Sequence, residues 1–364
     1  MKYAAFLFLC TLSNGVTQIA SQLDEIAVCL LACHPDIDIL TPRGKALVVA
    51  SFLRANNLIG IEQGRQYHSL EHNFLGFALT DPEHNSLPLI SAAIYCCVAQ
   101  KFGLDAHPCG FPFHVHVIVK PPATLDMDGG PADDPAERMY IDPFRSDREI
   151  PVSDLENQLN FLGTPGDGKA ALLGESSTSD IVLRCSKNIQ NSIQHELPNL
   201  HTATVDVASA RYAAFWASMV LGGSSRGMEL QTYLPLLLEM VVSEFPSDVY
   251  LIEKSVLPLF EGMPEYDIIL NFLQVMRTVD GLPKQPQWRP TSEDDGVLYR
   301  VGQMFRHRRY NYRAVITGWD PECGAPEQWK RRMGIDQLRA KSHQSFYHAL
   351  YVPHSISTRS TFTC

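Results

Sequence analysis

The sequence predicts an α+β fold, with helices predominating up to about residue 280 and a small β module after it. Three observations carry that expectation. Apolar residues recur at helical spacing through most of the chain as far as Met276. Two short β-rich segments, Phe111–Val119 and Tyr140–Phe144, interrupt that pattern. From Val297 onward the period changes to alternation between turn residues. With 364 residues, 45% of them hydrophobic, the chain can bury two or three cores.

The elements follow in order. Leu23 to Leu58 reads as two helices broken at His34-Pro35-Asp36, the second opened by Thr41 as N-cap and Pro42 in the first turn. Tyr67–Leu79 keeps helical spacing, and Pro88 opens a strongly helical run, Leu89–Phe102, that Gly103 ends. Phe111–Val119 alternates as a strand does. Pro121–Ala136, rich in Pro, Gly and Asp, reads as a surface loop, and Tyr140–Phe144 as a short strand ending in a turn. From Gly163 to Asp180 the composition suggests a loop or linker. Ile181–Glu196, Ala208–Val220, Leu230–Phe245 and Val249–Phe260 return to helical periodicity, the last three as antiparallel neighbours. Strands are expected at Val297–Arg306, Arg313–Trp319 and Ser345–Tyr351. The division is therefore a helical region at 1–60, a mixed core at 61–200, a helical region at 201–280, a linker at 281–296 and a β module at 297–352.

Charge separates the parts. The net charge is −10, which argues against a general nucleic-acid binder, yet Val297–Leu350 carries +6 and the remainder −16. Nine cysteines, without a C-x-x-C pair, do not form a disulfide or structural zinc framework. Reduced thiols and an intracellular location, cytoplasm or nucleus, are expected. Met1-Lys2-Tyr3 and the apolar run Ala4–Leu12 imitate a secretory signal, but Gln18 spoils cleavage after Ala20. No stretch approaches the roughly 20 apolar residues of a membrane span.

The chemistry-bearing residues are Pro88–Gly103, then His114 and His116 in Gly110-Phe-Pro-Phe-His-Val-His, then Asp142 in Ile141-Asp-Pro-Phe144. A helix, a strand carrying His and a later strand carrying Asp is the layout of papain-like and transglutaminase-like folds. There a Cys at the helix start attacks, His is its base and Asp orients the imidazole. The helix N-terminus is where a thiolate is stabilised. In this chain Pro88, Leu89, Ile90 and Ser91 occupy that place, and Cys96 and Cys97 come two turns later. His114 and Asp142 are thus expected as a remnant pair, with no catalytic residue, no cofactor and no metal. Two alternatives stay open: Ser91 or a cysteine acting with His114 in an acyl hydrolase, and a metal on His114 and His116 with Asp142 or His107.

With Tyr67, Asn73, Phe111-Pro112-x-His114, Arg184 and Asn188 added, the stretch from Tyr67 to Asn188 resembles the transglutaminase-like SirB family, which usually lacks the cysteine. The second resemblance rests on Val301-Gly302-Gln303, Arg306-His307-Arg308-Arg309, Tyr310-Asn-Tyr312-Arg313, Val315, Trp319-Asp320, Trp329 and Gln344–Leu350. These resemble the YccV/HspQ hemimethylated-DNA-binding domain, a small barrel. The resemblance implies an SH3-like β-barrel whose Arg306, His307, Arg308, Arg309, Tyr312 and Arg313 contact DNA; Val352–Cys364 departs from the family's ending. Together the modules resemble the F-box-only protein twenty-one family of ubiquitin-ligase substrate adaptors. An F-box is not seen before Leu23, so a ligase scaffold is expected as a partner only where an F-box is missing from this sequence. The implied function is a non-catalytic adaptor that holds DNA or a protein substrate through the basic module, with no membrane contact.

Overall fold

The structure, a computed structural model, describes residues 15–62, 67–132, 137–196, 205–222, 227–282, 296–308, 313–325 and 327–351. The chain divides into two compact units, Met1–Asp280 and Gly281–Cys364.

In the first unit, helix α1 (Val16–Cys33) places Ile19, Leu23, Ala27 and Leu30 on one stripe, buried in the main core. By length and composition alone α1 is long and apolar enough to cross a membrane, which the sequence reading did not anticipate. Helix α2 (Pro42–Ala55) begins as expected: Thr41 Oγ1 accepts the Gly44 N–H at 3.1 Å and Pro42 stands in the first turn. Both helices share one core with residues of the segment that follows.

Tyr67–Leu79 does not form a single helix. A 3-10 turn, Leu70–Asn73, precedes the short α3 (Leu75–Thr80). The Asn73 amide donates to Leu70 O at 3.2 Å and to Ser192 Oγ at 2.9 Å, competing with the helical ladder. Helix α4 (Pro88–Lys101) is apolar on every side and almost wholly buried, the mark of a core helix. It ends in a Schellman motif: Gly103 adopts φ +78°, and Leu104 N–H returns to Ala99 O.

Four antiparallel strands pack beside α4 in the order β1 (Asp105–Pro108), β2 (Val117–Lys120), β3 (Met139–Ile141), β4 (Glu149–Ile150). Val117 and Val119 of β2 face the main core. Ile118 and Tyr140 face a smaller core completed by Leu155 and Leu159 of α5 (Val152–Phe161) and by Leu173. The sheet is therefore covered on both faces, which explains an unbroken Val-Ile-Val run. Within 163–180 the structure has α6 (Gly166–Leu172) in place of the expected linker, and α7 (Thr178–Glu196) follows. Helix α6 ends at Leu173, which is buried and whose carbonyl accepts the Tyr140 hydroxyl at 2.8 Å, while its glycines are poor helix formers.

A further core is built by α8 (Val207–Leu221), α9 (Gly227–Ser243) and α10 (Glu265–Gly281), around Met219, Leu237, Val241, Phe260, Ile269 and Leu273. Val249–Phe260 is not the regular helix expected. It passes from one α turn through a π turn (Ile252–Val256) into a 3-10 turn (Leu257–Phe260). Pro258 lacks the N–H that a continuing α-helix requires.

The second unit holds an antiparallel sheet, β5 (Met304–Arg306), β6 (Arg313–Asp320) and β7 (Phe346–Tyr351), with helix α11 (Glu327–Arg332) between the last two. Among the described residues this is a three-stranded sheet; closure into the expected barrel is not seen there. The first strand is shorter than predicted because Gly302, at φ +84°, turns the chain just before it. Ala314, Ile316, Cys323 and Ile335 are its buried apolar residues.

Candidate functional site

Two loop segments of the first unit converge near the start of α4. The first is the turn after β3. Asp142, 4% exposed, accepts the Arg145 and Ser146 N–H groups on its carbonyl, and its Oδ1 takes a further bond from Arg145 N at 3.2 Å. Arg54 of α2 donates to Pro143 O at 3.2 Å and Phe144 O at 2.7 Å, pinning that turn from behind. The second is the loop before β2. His114 and His116 were expected on a strand; they lie instead just ahead of β2. His114 N–H bonds Pro112 O at 2.7 Å across Phe113, whose φ is +65°, so a γ-turn aims His114 inward and leaves Phe113 90% exposed. Arg184 of α7 holds this loop through Phe111 O at 2.8 Å, and burial lowers its pKa.

The result brings His114 and Asp142 together as expected, Nε2 to Oδ2 at 2.8 Å, although the oxygen lies off the axis of a well-formed hydrogen bond. The ring of His116 is 5.1 Å from that of His114 and edge-on to Phe111. Burial, with the neighbouring His114 adding to it, lowers the His116 pKa to about 4. Asp142 is raised by burial but more strongly lowered by His114 and His116, and ends below the ordinary carboxylate value.

A cleft of about 80 Å³ lies against Pro88 and Leu89, walled by Tyr67, Phe113, Arg184 and Asn188. Of the residues carrying the first resemblance, Tyr67, Arg184 and Asn188 meet here, while Asn73 lies behind, tying the Leu70 turn to α7. Ser91 is fully buried, and its hydroxyl bonds Ser86 Oγ at 2.7 Å and accepts Gly60 N–H at 3.2 Å. Burial raises the Cys96 thiol far above its usual range and pushes Cys109 up to about 11. Cys29 and Cys33 are exposed. Arg54 is a site residue the sequence reading missed; a helix arginine bonding a turn some ninety positions on leaves no local signal.

In the second unit the structure places Arg306 directly opposite Arg313 across the β5–β6 ladder, both exposed on one face. Met304 and Leu350 share that outer face and are 80% and 71% exposed, while Ala314 and Ile316 point to the other side. His307 is half-buried and Arg308 exposed. Arg309 and Tyr312, also expected to contact DNA, lie outside the described residues, as do Met1–Asn14 with the signal-like run.

The architecture is that of two modules, and comparison with known families agrees. Residues 20–187 match the family model of the transglutaminase-like superfamily, and residues 297–362 match that of hemimethylated DNA-binding protein YccV like. The chain thus carries a transglutaminase-like domain that takes in α1 and α2, and a YccV-like domain whose match runs past residue 352. Among curated proteins it is similar to F-box only protein 21 of Pongo abelii, 24% identical over 72% of this chain and 40% of the relative. F-box only protein 21 of Mus musculus and of Homo sapiens are each 23% identical over 72% of this chain and 41% of the relative. The chain thus spans about two fifths of the length of these relatives. No solved structure matches it significantly.

Proposed function

We propose that this protein is a non-catalytic, intracellular adaptor: a disarmed transglutaminase-like domain joined to a YccV-like domain that holds an anionic partner, DNA or a protein substrate. The observation that carries the reading is the start of α4. The place of a nucleophile is filled by Pro88, Leu89 and Ile90, all buried, and Ser91 spends its hydroxyl on Ser86 and Gly60. His114 and Asp142 keep the pairing of a base and an acid, 2.8 Å apart, with no thiol at the start of α4. Similarity to F-box only protein 21, of a family of ubiquitin-ligase substrate adaptors, supports a role in choosing substrates for ubiquitin-dependent degradation.

The test is a panel of thiol- and serine-directed acylating probes applied to the full chain and to His114→Ala. We expect no His114-dependent labelling. Labelling of Ser91, Cys96 or Cys97 that disappears in His114→Ala would make the protein a cysteine- or serine-dependent acyl hydrolase instead.

A further inference from the structure

We propose that His114, His116 and Asp142 form a binding site for a zinc-class divalent cation. One ligand atom from each lies within 4.8 Å of the other two. The independent observation is a set of unpartnered nitrogens. His116 is 4% exposed, and neither of its ring nitrogens has a hydrogen-bond partner; the buried Nε2 of His114 also lacks a well-formed bond. Buried polar atoms in native proteins are almost always satisfied, and exceptions point to an ion or a water. Here one nitrogen from each of two imidazoles lies near one carboxylate oxygen, with Phe111 and Phe144 packed against the rings.

Two imidazoles and a carboxylate suit zinc and its neighbours; calcium and magnesium take oxygen ligands alone. Tetrahedral zinc, with bonds of about 2.0–2.2 Å, sets its donors roughly 3.3 Å apart. The 2.8 Å His114–Asp142 separation is close to that, and no separation need close by more than about 1.5 Å. Arg145 Nε, 3.9 Å from Asp142 Oδ2, would yield its place; its side chain is 67% exposed and free to swing out. Three protein donors leave a fourth position for water or for a group on a bound partner. Asp105, His107 and Glu175 also cluster, but His107 already bonds Asp105 at 2.7 Å and Glu175 pairs with Lys120. That cluster serves as a control.

The proposal goes beyond the adaptor reading and does not depend on it. Its test is titration of the chelator-stripped full chain with Co²⁺, then displacement by Zn²⁺. We expect one equivalent bound, with the visible bands of four-coordinate cobalt and no sulfur-to-metal charge transfer. His116→Gln and Asp142→Asn should each weaken binding about tenfold or more, and His107→Ala should leave it unchanged. Should the site variants fail to fold, the zinc-edge X-ray fine structure of the wild-type complex decides: imidazole scattering without sulfur supports the site, and a sulfur ligand overturns it. Absence of stoichiometric binding, or binding indifferent to His116→Gln, also overturns it.

Discussion

At the residue scale the first unit is organised by long side chains that hold loops in place. Arg43 of α2 bridges Asp128, Glu137 and Glu149, drawing the loop after β2 onto β4, and Glu149 and then Asp128 raise its pKa. Arg54 does the same for the turn that carries Asp142. A hydrogen-bonding charged donor contributes about 1.5–3 kcal/mol net, and here one guanidinium nitrogen serves both carbonyls. Arg54→Ala is therefore expected to lower stability by about 2 kcal/mol in urea unfolding of the full chain. Arg54→Lys should recover only part of it, because an ammonium does not reproduce the guanidinium fork. An unchanged midpoint would mean that the Asp142 turn holds itself.

At the scale of elements, the hairpin of the second unit sets two cations opposite each other. Like charges directly across a ladder destabilise it, whereas opposite charges contribute about 0.2–1 kcal/mol. Arg306 facing Arg313 is therefore a cost to the hairpin that an anionic partner would relieve. Arg313→Glu is expected to stabilise the hairpin by a few tenths of a kcal/mol, read as a small rise in thermal midpoint, while weakening any anionic partner. A loss of stability would show that Arg313 has a structural role. The helices with caps and clear stripes were legible in the sequence: Thr41-Pro42 and Gly103 mark their ends chemically. Strands β6 and β7 came out within a residue of their predicted bounds for the same reason, a clean period of two. What was not legible depended on tertiary contact. Strand β1 contains Asp105, His107 and Pro108 and is held by its pairing with β2, while α6 contains two glycines and runs into the buried Leu173. The His114–Asp142 pair was legible from motif order; the γ-turn at Phe113 and the unpartnered His116 were not, since both are matters of backbone direction.

At the scale of the whole molecule, charge is segregated by module: +6 between Val297 and Leu350 and −16 elsewhere. An acidic body repels an anionic polymer, so any affinity for DNA is expected to reside in the basic domain and to depend strongly on salt. The measurement that tests this most directly is a salt titration of full-chain binding to unmethylated and hemimethylated duplexes. Each arginine that neutralises a phosphate contributes about −0.9 to the slope of log affinity against log salt, so three contacts give roughly −3. Such a slope is expected, and Arg306→Ala, Arg308→Ala and Arg313→Ala together should flatten it and weaken both duplexes alike. No binding at low salt, or binding that the triple substitution leaves untouched, would contradict this expectation.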